Sequence, residues 1–101
     1  MQTHVENSED TSIIIIDENQ LLGVENKTFQ TLVQNSIEQG IKNISVDLSN
    51  VKFISSWGIE GFLHAHKACI NNNVNFSLKK VNSTVMNVLS TLKLNEVIKI
   101  I

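Results

Sequence analysis

The sequence predicts an α/β protein, and three patterns carry that expectation. Two short β-branched runs, residues 12–16 and 44–48, are nearly all apolar, as interior strands of a parallel sheet are. Apolar residues recur at helical spacing over 29–37, 59–70 and 85–92. Strand and helix patterns alternate along the chain, which implies parallel crossovers and layered packing.

Taken in order, residues 2–6 alternate polar and apolar and read as a short edge strand, followed by a polar turn at 7–10. Residues 12–16 read as a strand buried on both faces. Asp17-Glu18-Asn19 breaks it, and Gln20-Leu21-Leu22 resumes it. From Glu25 the period changes. Phe29, Leu32, Val33, Ser36 and Ile37 form one helical stripe, with Glu25 or Asn26 at its start and Gly40 just past its end. Residues 44–48 form the second apolar strand. A polar turn with two adjacent serines follows. A helix then runs from Gly58 to about Asn72, with Ile59, Phe62, Leu63, Cys69 and Ile70 inward. Val74, Phe76 and Leu78 alternate with polar residues and form a strand. Ser83 caps a third helix whose apolar side is Val85, Met86, Val88, Leu89 and Leu92. Residues 97–101 end the chain as a strand or a loose tail.

The chain has 101 residues, enough for one domain spanning 1–101 and too few for a second. The net charge is -2, and the lysines from Lys67 to Lys99 are spread rather than bunched, so nucleic acid is not an expected partner. A lone cysteine, Cys69, excludes an internal disulfide and fits a reducing compartment. The N-terminus lacks a secretory pattern, and the longest purely apolar run, 13–16, is too short to enter a bilayer. A cytoplasmic protein without membrane insertion is expected.

The chemistry concentrates at residues 46–63. A buried strand, a turn carrying Ser55 and Ser56, and a helix start place a hydroxyl at the positive end of a helix dipole. Such a serine has two possible jobs. It can cap the helix and do nothing else, or it can accept a phosphate, which the helix N-terminus suits. Trp57 beside it is either an exposed interface anchor or a core residue folded back on the sheet. Glu60 and His64 share a helix face, which makes a metal pair conceivable, but no third ligand is evident. His64 and His66 read as surface histidines, and Cys69 as a buried, unreactive thiol. Asp47 reads as a strand-end acid bonded to the next turn. A hydrolase elbow is absent, since Ile54 stands where G-x-S-x-G needs its first glycine, and no phosphate-cradling glycine loop exists. Neither an enzyme nor a cofactor is expected.

Asp47-Leu48-Ser49 followed by Phe53-Ile54-Ser55-Ser56-Trp57-Gly58-Ile59 resembles the STAS-domain signature of anti-sigma factor antagonists, which reads D-L-S, a spacer, then I-D-S-S-G-L. Leu22-Gly23-Val24-Glu25-Asn26 resembles the family's L-D-V-E-N segment, and Asn75 onward its closing segment, so the likeness covers nearly the whole chain. The resemblance implies a mixed β-sheet with helices packed mainly on one face. It also implies a phosphorylation switch. By register Ser56 matches the family's phosphoserine, with Ser55 as the lesser alternative. The partners implied are a protein serine kinase that doubles as the anti-sigma-type regulator, and a PP2C-like phosphatase. They would meet Gly23, Glu25, Asn26, Ser55, Trp57, Gly58 and Glu60. Two family acids are replaced, by Gly23 and Ser55, and Trp57 is bulkier than the family's serine or threonine. These departures resemble the SypA-type single-domain regulators of biofilm polysaccharide clusters and imply a partner other than the standard sigma-factor module. Two other readings stay open: a constitutive STAS subunit, as in a lipid-transport complex, with Ser56 only a cap; and an enzyme using Ser56.

Overall fold

The computed structural model describes residues 3–21 and 26–101. Among the described residues, seven strands and three α-helices follow one another as β1 (Thr3–Ser8), β2 (Thr11–Ile16), β3 (Gln20–Leu21), α1 (Asn26–Glu38), β4 (Asn43–Asp47), β5 (Phe53–Ile54), α2 (Ser56–Asn71), β6 (Asn75–Lys79), α3 (Ser83–Thr91) and, after one 3-10 turn at Leu94–Glu96, β7 (Lys99–Ile100). The main sheet has the order β1-β2-β4-β6-β7. β1 is antiparallel to β2, and every other pair is parallel, as helical crossovers require. The sheet is thus mixed, as expected.

Register explains which face is covered. Ile14, Val46, Leu78 and Ile100 lie in one row across the sheet, and Ser12, Ile44 and Phe76 in the next aligned row. The apolar side chains of these rows face the helices and meet Phe29 and Val33 of α1, Ile59, Phe62, Ala65 and Cys69 of α2, and Val85 and Leu89 of α3 in one cluster. Phe29 and Phe62 meet edge to face with ring centroids 5.7 Å apart, joining α1 to α2.

Several expectations are corrected. β2 is not buried on both faces: Ser12, Ile14 and Ile16 are buried while Ile13 and Ile15 are only half-buried on the helix-free side. The helices cover one face, so a β-branched run marks strand propensity here, not double burial. Gln20 and Leu21 do not resume β2 but pair in parallel with Phe53 and Ile54 as a separate two-stranded sheet. The cap of α3 is Asn82, whose Oδ1 accepts from Val85 N at 2.9 Å, and Ser83 is the first helical residue. Ile70 and Leu92 lie on outer, exposed faces, and the terminal segment is a strand with Ile98 buried ahead of it.

Candidate functional site

The site is built where the chain leaves the carboxyl end of β4. Asp47 is buried there, and its Oδ1 accepts from Ser49 N at 2.9 Å, closing the turn that the sequence assigned to it. Burial pushes the Asp47 carboxyl up, but the Ser49 hydrogen bonds and the nearby Lys80 and Lys79 outweigh it, and the group sits below its ordinary value. Lys80 Nζ stands 3.7 Å from Asp47 Oδ2. Two more bonds hold the next segment. Asn82 Nδ2 donates to the Val51 carbonyl at 2.7 Å, and the Asn19 carbonyl accepts from Lys52 N and Phe53 N at 2.7 and 3.1 Å.

β5 aims Ile54 inward and Phe53 outward, because successive residues of a strand face opposite sides. Ile54 is buried and Phe53 is 57% exposed. Ser55 then turns the chain. Its N–H donates to the Leu21 carbonyl at 2.9 Å, its backbone is extended, and its Oγ accepts from Gly58 N at 3.3 Å. Ser55 is therefore the N-cap of α2, and the helix begins at Ser56, two residues before the start expected from the sequence. The two serines are placed differently. Ser55 caps, while Ser56 is exposed and no hydrogen bond ties its side chain among the described residues.

Gly58 is fixed by space. A Cβ there would stand 2.7 Å from the Leu21 carbonyl oxygen and 3.0 Å from Ile54 Cγ1. The first turn of α2 thus lies directly on the β3–β5 pair. Asn26 ties α1 to the same turn by donating to the Trp57 carbonyl at 2.9 Å, and Gln30 Nε2 donates to the Gly61 carbonyl at 2.8 Å. Of the expected contact residues, the structure brings together Asn26, Ser55, Ser56, Trp57 and Gly58, with Glu60 exposed one turn on. Gly23 and Glu25 lie outside the described residues. Trp57 is 66% exposed, which decides between anchor and core in favour of exposure. Phe53 is an exposed neighbour that sequence reasoning passed over. Its signal was the alternation with Ile54, too short at two residues to register as a period.

The other candidates resolve simply. His64 Nε2 stands 3.7 Å from Glu60 Oε1 as an exposed pair, and no three metal-ligating side chains converge among the described residues. His66 is only half-buried, not fully exposed. It packs against Phe76, and its Nδ1 is buried. Cys69 is fully buried, and burial pushes its thiol up to about 11. No helix among the described residues is long and apolar enough to cross a membrane.

A mixed sheet with three helices is the fold of anti-sigma factor antagonist structures that this chain matches. A family model described as STAS domain matches residues 2–101, and the chain belongs to that family. A crystal structure of a putative anti-sigma factor antagonist from Thermotoga maritima is similar at 24% identity and TM-score 0.81, covering 97% of this chain and 84% of that one. SpoIIAA is similar in two states. The Bacillus protein in its phosphorylated form gives 16% identity and TM-score 0.74, over 99% of this chain and 91% of that one. The unphosphorylated form gives 16% identity and TM-score 0.71, over 88% and 82%. No match was found among curated proteins.

Proposed function

We propose that this chain is a cytoplasmic, non-enzymatic regulatory protein switched by phosphorylation of Ser56. Unmodified, it binds a serine kinase of the anti-sigma type through the Ser55–Glu60 turn, the outer face of α2 and the segment that includes Gly23, Glu25 and Asn26. The kinase and an opposing PP2C-like phosphatase supply the chemistry; the chain supplies the hydroxyl and the surface. The output is control of bacterial gene expression or of biofilm formation.

One observation carries this reading: Ser55 takes the capping bond, so the exposed Ser56 hydroxyl has no structural task. A phosphate there would meet the unpaired N–H groups and positive dipole end of a 16-residue helix. Phe53 and Trp57, three residues before it and one after, are exposed aromatic side chains suited to anchor a partner. Removing a dianion from water without a matched cation costs several kcal/mol, enough to lower affinity by orders of magnitude. Likeness to SpoIIAA, solved in phosphorylated and unphosphorylated forms, supports control by phosphorylation.

The test is co-expression with candidate serine kinases followed by intact mass and pull-down. One phosphate on the wild type and none on Ser56→Ala is expected, with Ser56→Ala retained by the partner and Ser56→Asp released. Equal retention of both variants overturns the switch. The loss of the family acid at Ser55 favours a second reading, a constitutive subunit that uses Phe53 and Trp57 as a fixed contact. No gain of phosphate with any kinase, together with binding lost in Trp57→Ala, supports it.

A further inference from the structure

β1 is an open sheet edge that carries none of the usual guards. It ends the main sheet, with β2 on one side and no strand on the other among the described residues. All of Thr3–Ser8 holds one unbroken antiparallel register to β2, without a bulge, a proline or a lysine. Natural sheets blunt a free edge with those devices or by keeping it short. The other edge shows the contrast, since β7 is two residues long and carries Lys99.

Hydrogen bonding fixes which backbone groups face outward. Asn43 N donates to the Asp10 carbonyl at 3.0 Å, so Asp10 points its carbonyl at β4. Backbone direction alternates along a strand, so Thr11, Ile13 and Ile15 point at β1. Their partners Ser8, Glu6 and His4 point back. Thr3, Val5 and Asn7 therefore aim their N–H and C=O groups away from the sheet. Two copies related by a twofold axis can join these edges only antiparallel, with outward residues opposite outward residues. An axis at Val5 engages the edge most fully. It sets Val5 against Val5, Thr3 against Asn7 and His4 against Glu6, the last two pairs twice. Moving the axis by one residue sets His4 against His4 or Glu6 against Glu6 and shortens the ladder.

The side chains fit the register centred on Val5. Val5 is half-buried against the core, so two Val5 side chains at the axis extend the core from one copy to the other. His4 and Glu6 lie on the opposite, helix-free face with Ile13 and Ile15. His4 Nδ1 stands 2.8 Å from Asp17 Oδ2, and Glu6 makes no ion pair among the described residues. In its charged form His4 thus keeps Nε2–H for a second carboxylate, and the register supplies one in Glu6 of the other copy.

We propose that β1 pairs with β1 of a second copy of this chain, joining two five-stranded sheets into one continuous sheet. Each Val5 N–H donates to the Val5 carbonyl of the other copy, and Thr3 and Asn7 exchange the same bonds on either side. Only a short strand from each copy takes part, so the contact is smaller than a standard interface and the dimer is weak and concentration-dependent. The proposal does not depend on the phosphorylation reading.

The test is sedimentation equilibrium of the full chain up to millimolar concentration, with amide hydrogen exchange at both ends of the range. The average mass is expected to rise from the 11.3 kDa of one chain towards double that value, and the Val5 and Asn7 amides to gain protection as it does. Glu6 is exposed, so Glu6→Lys leaves the fold intact. It sets a lysine against His4 in both cross-strand pairs and is expected to weaken association on the order of tenfold. Val5→Pro removes an outward N–H while sparing the bonds to β2, as edge strands tolerate, and is expected to leave a folded monomer by circular dichroism and mass. A monomer at every concentration, a dimer in which the Val5 amide gains no protection, or unchanged association in Glu6→Lys overturns the proposal.

Discussion

Ser55 and Ser56 are the same residue type one position apart, yet the helix start gives them different surroundings. Ser55 Oγ holds Gly58 N at 3.3 Å, whereas the Ser56 side chain bonds to nothing described. Ser55→Ala should therefore lower stability by about 1 kcal/mol, the usual loss for an N-cap, and Ser56→Ala should change it by less than about 0.5 kcal/mol. Urea unfolding of the two variants checks the division, and it would fail if Ser56→Ala were the more damaging. Gly58 supplies a sharper case. In an open helix, Gly→Ala stabilises by up to about 1 kcal/mol. Here the new Cβ would meet the Leu21 carbonyl at 2.7 Å, an atom of the backbone that cannot swing aside. Gly58→Ala should instead destabilise by about 1–3 kcal/mol, the cost of overpacking. A rise in the unfolding midpoint would show that β3 yields. The glycine was legible in the sequence as part of a motif, but its cause, contact with a strand 37 positions earlier, was not.

At the scale of elements, the strong periods were legible and the junctions were not. All three helices and β6 follow from spacing, β2 and β4 from their apolar runs, and each buries one face in the common core. The caps did not follow. Ser55 and Asn82 were chosen by side-chain reach to Gly58 N and Val85 N, while the sequence offered neighbouring serines of equal promise. The β3–β5 pair escaped because two residues carry no period, although the whole site stands on it. His66 escaped because α2's polar and apolar residues are interleaved near its end. Asp47 was read correctly as a strand-end acid, and its environment sets a pH dependence. The folded carboxyl sits below its ordinary value of 3.8, so its contribution is present above that pH and is lost as pH falls through the folded value. Asp47→Asn should cost about 1–2 kcal/mol near neutrality, since it removes a charged acceptor from Ser49 N. The gap between variant and wild type should close below pH 3.8, and unfolding curves from neutral to acid pH measure it. A gap that stayed constant would mean that the charge of Asp47 contributes nothing.

Across the whole molecule, stability is unevenly placed, and the serine site falls at the weak end. β4 is hydrogen-bonded on both flanks, to β2 and β6, and its side chains Ile44, Val46 and Asp47 are buried. The site is carried instead by a two-residue pair and by single bonds such as Ser55 N to the Leu21 carbonyl. Helix alternation made the parallel core predictable from sequence. The detachment of β3 and β5 into their own small sheet was not, since pairing across 33 positions leaves no local pattern. On the proposed reading, a kinase enters this site and a partner reads it, and the arrangement favours both. Few backbone hydrogen bonds tie the turn to the central strands, so its amides can open locally while Val51 and Ile54 stay in the core. Native-state hydrogen exchange should then rank the amides. Ile44 to Asp47 should exchange only through global unfolding, and their rates should rise steeply with urea. Lys52, Phe53 and Ser55 should exchange faster, through an opening that urea scarcely affects. Should Ser55 N–H prove as protected as Val46 N–H, the turn and the core would form one cooperative unit, and any change at Ser56 would be felt by the whole sheet.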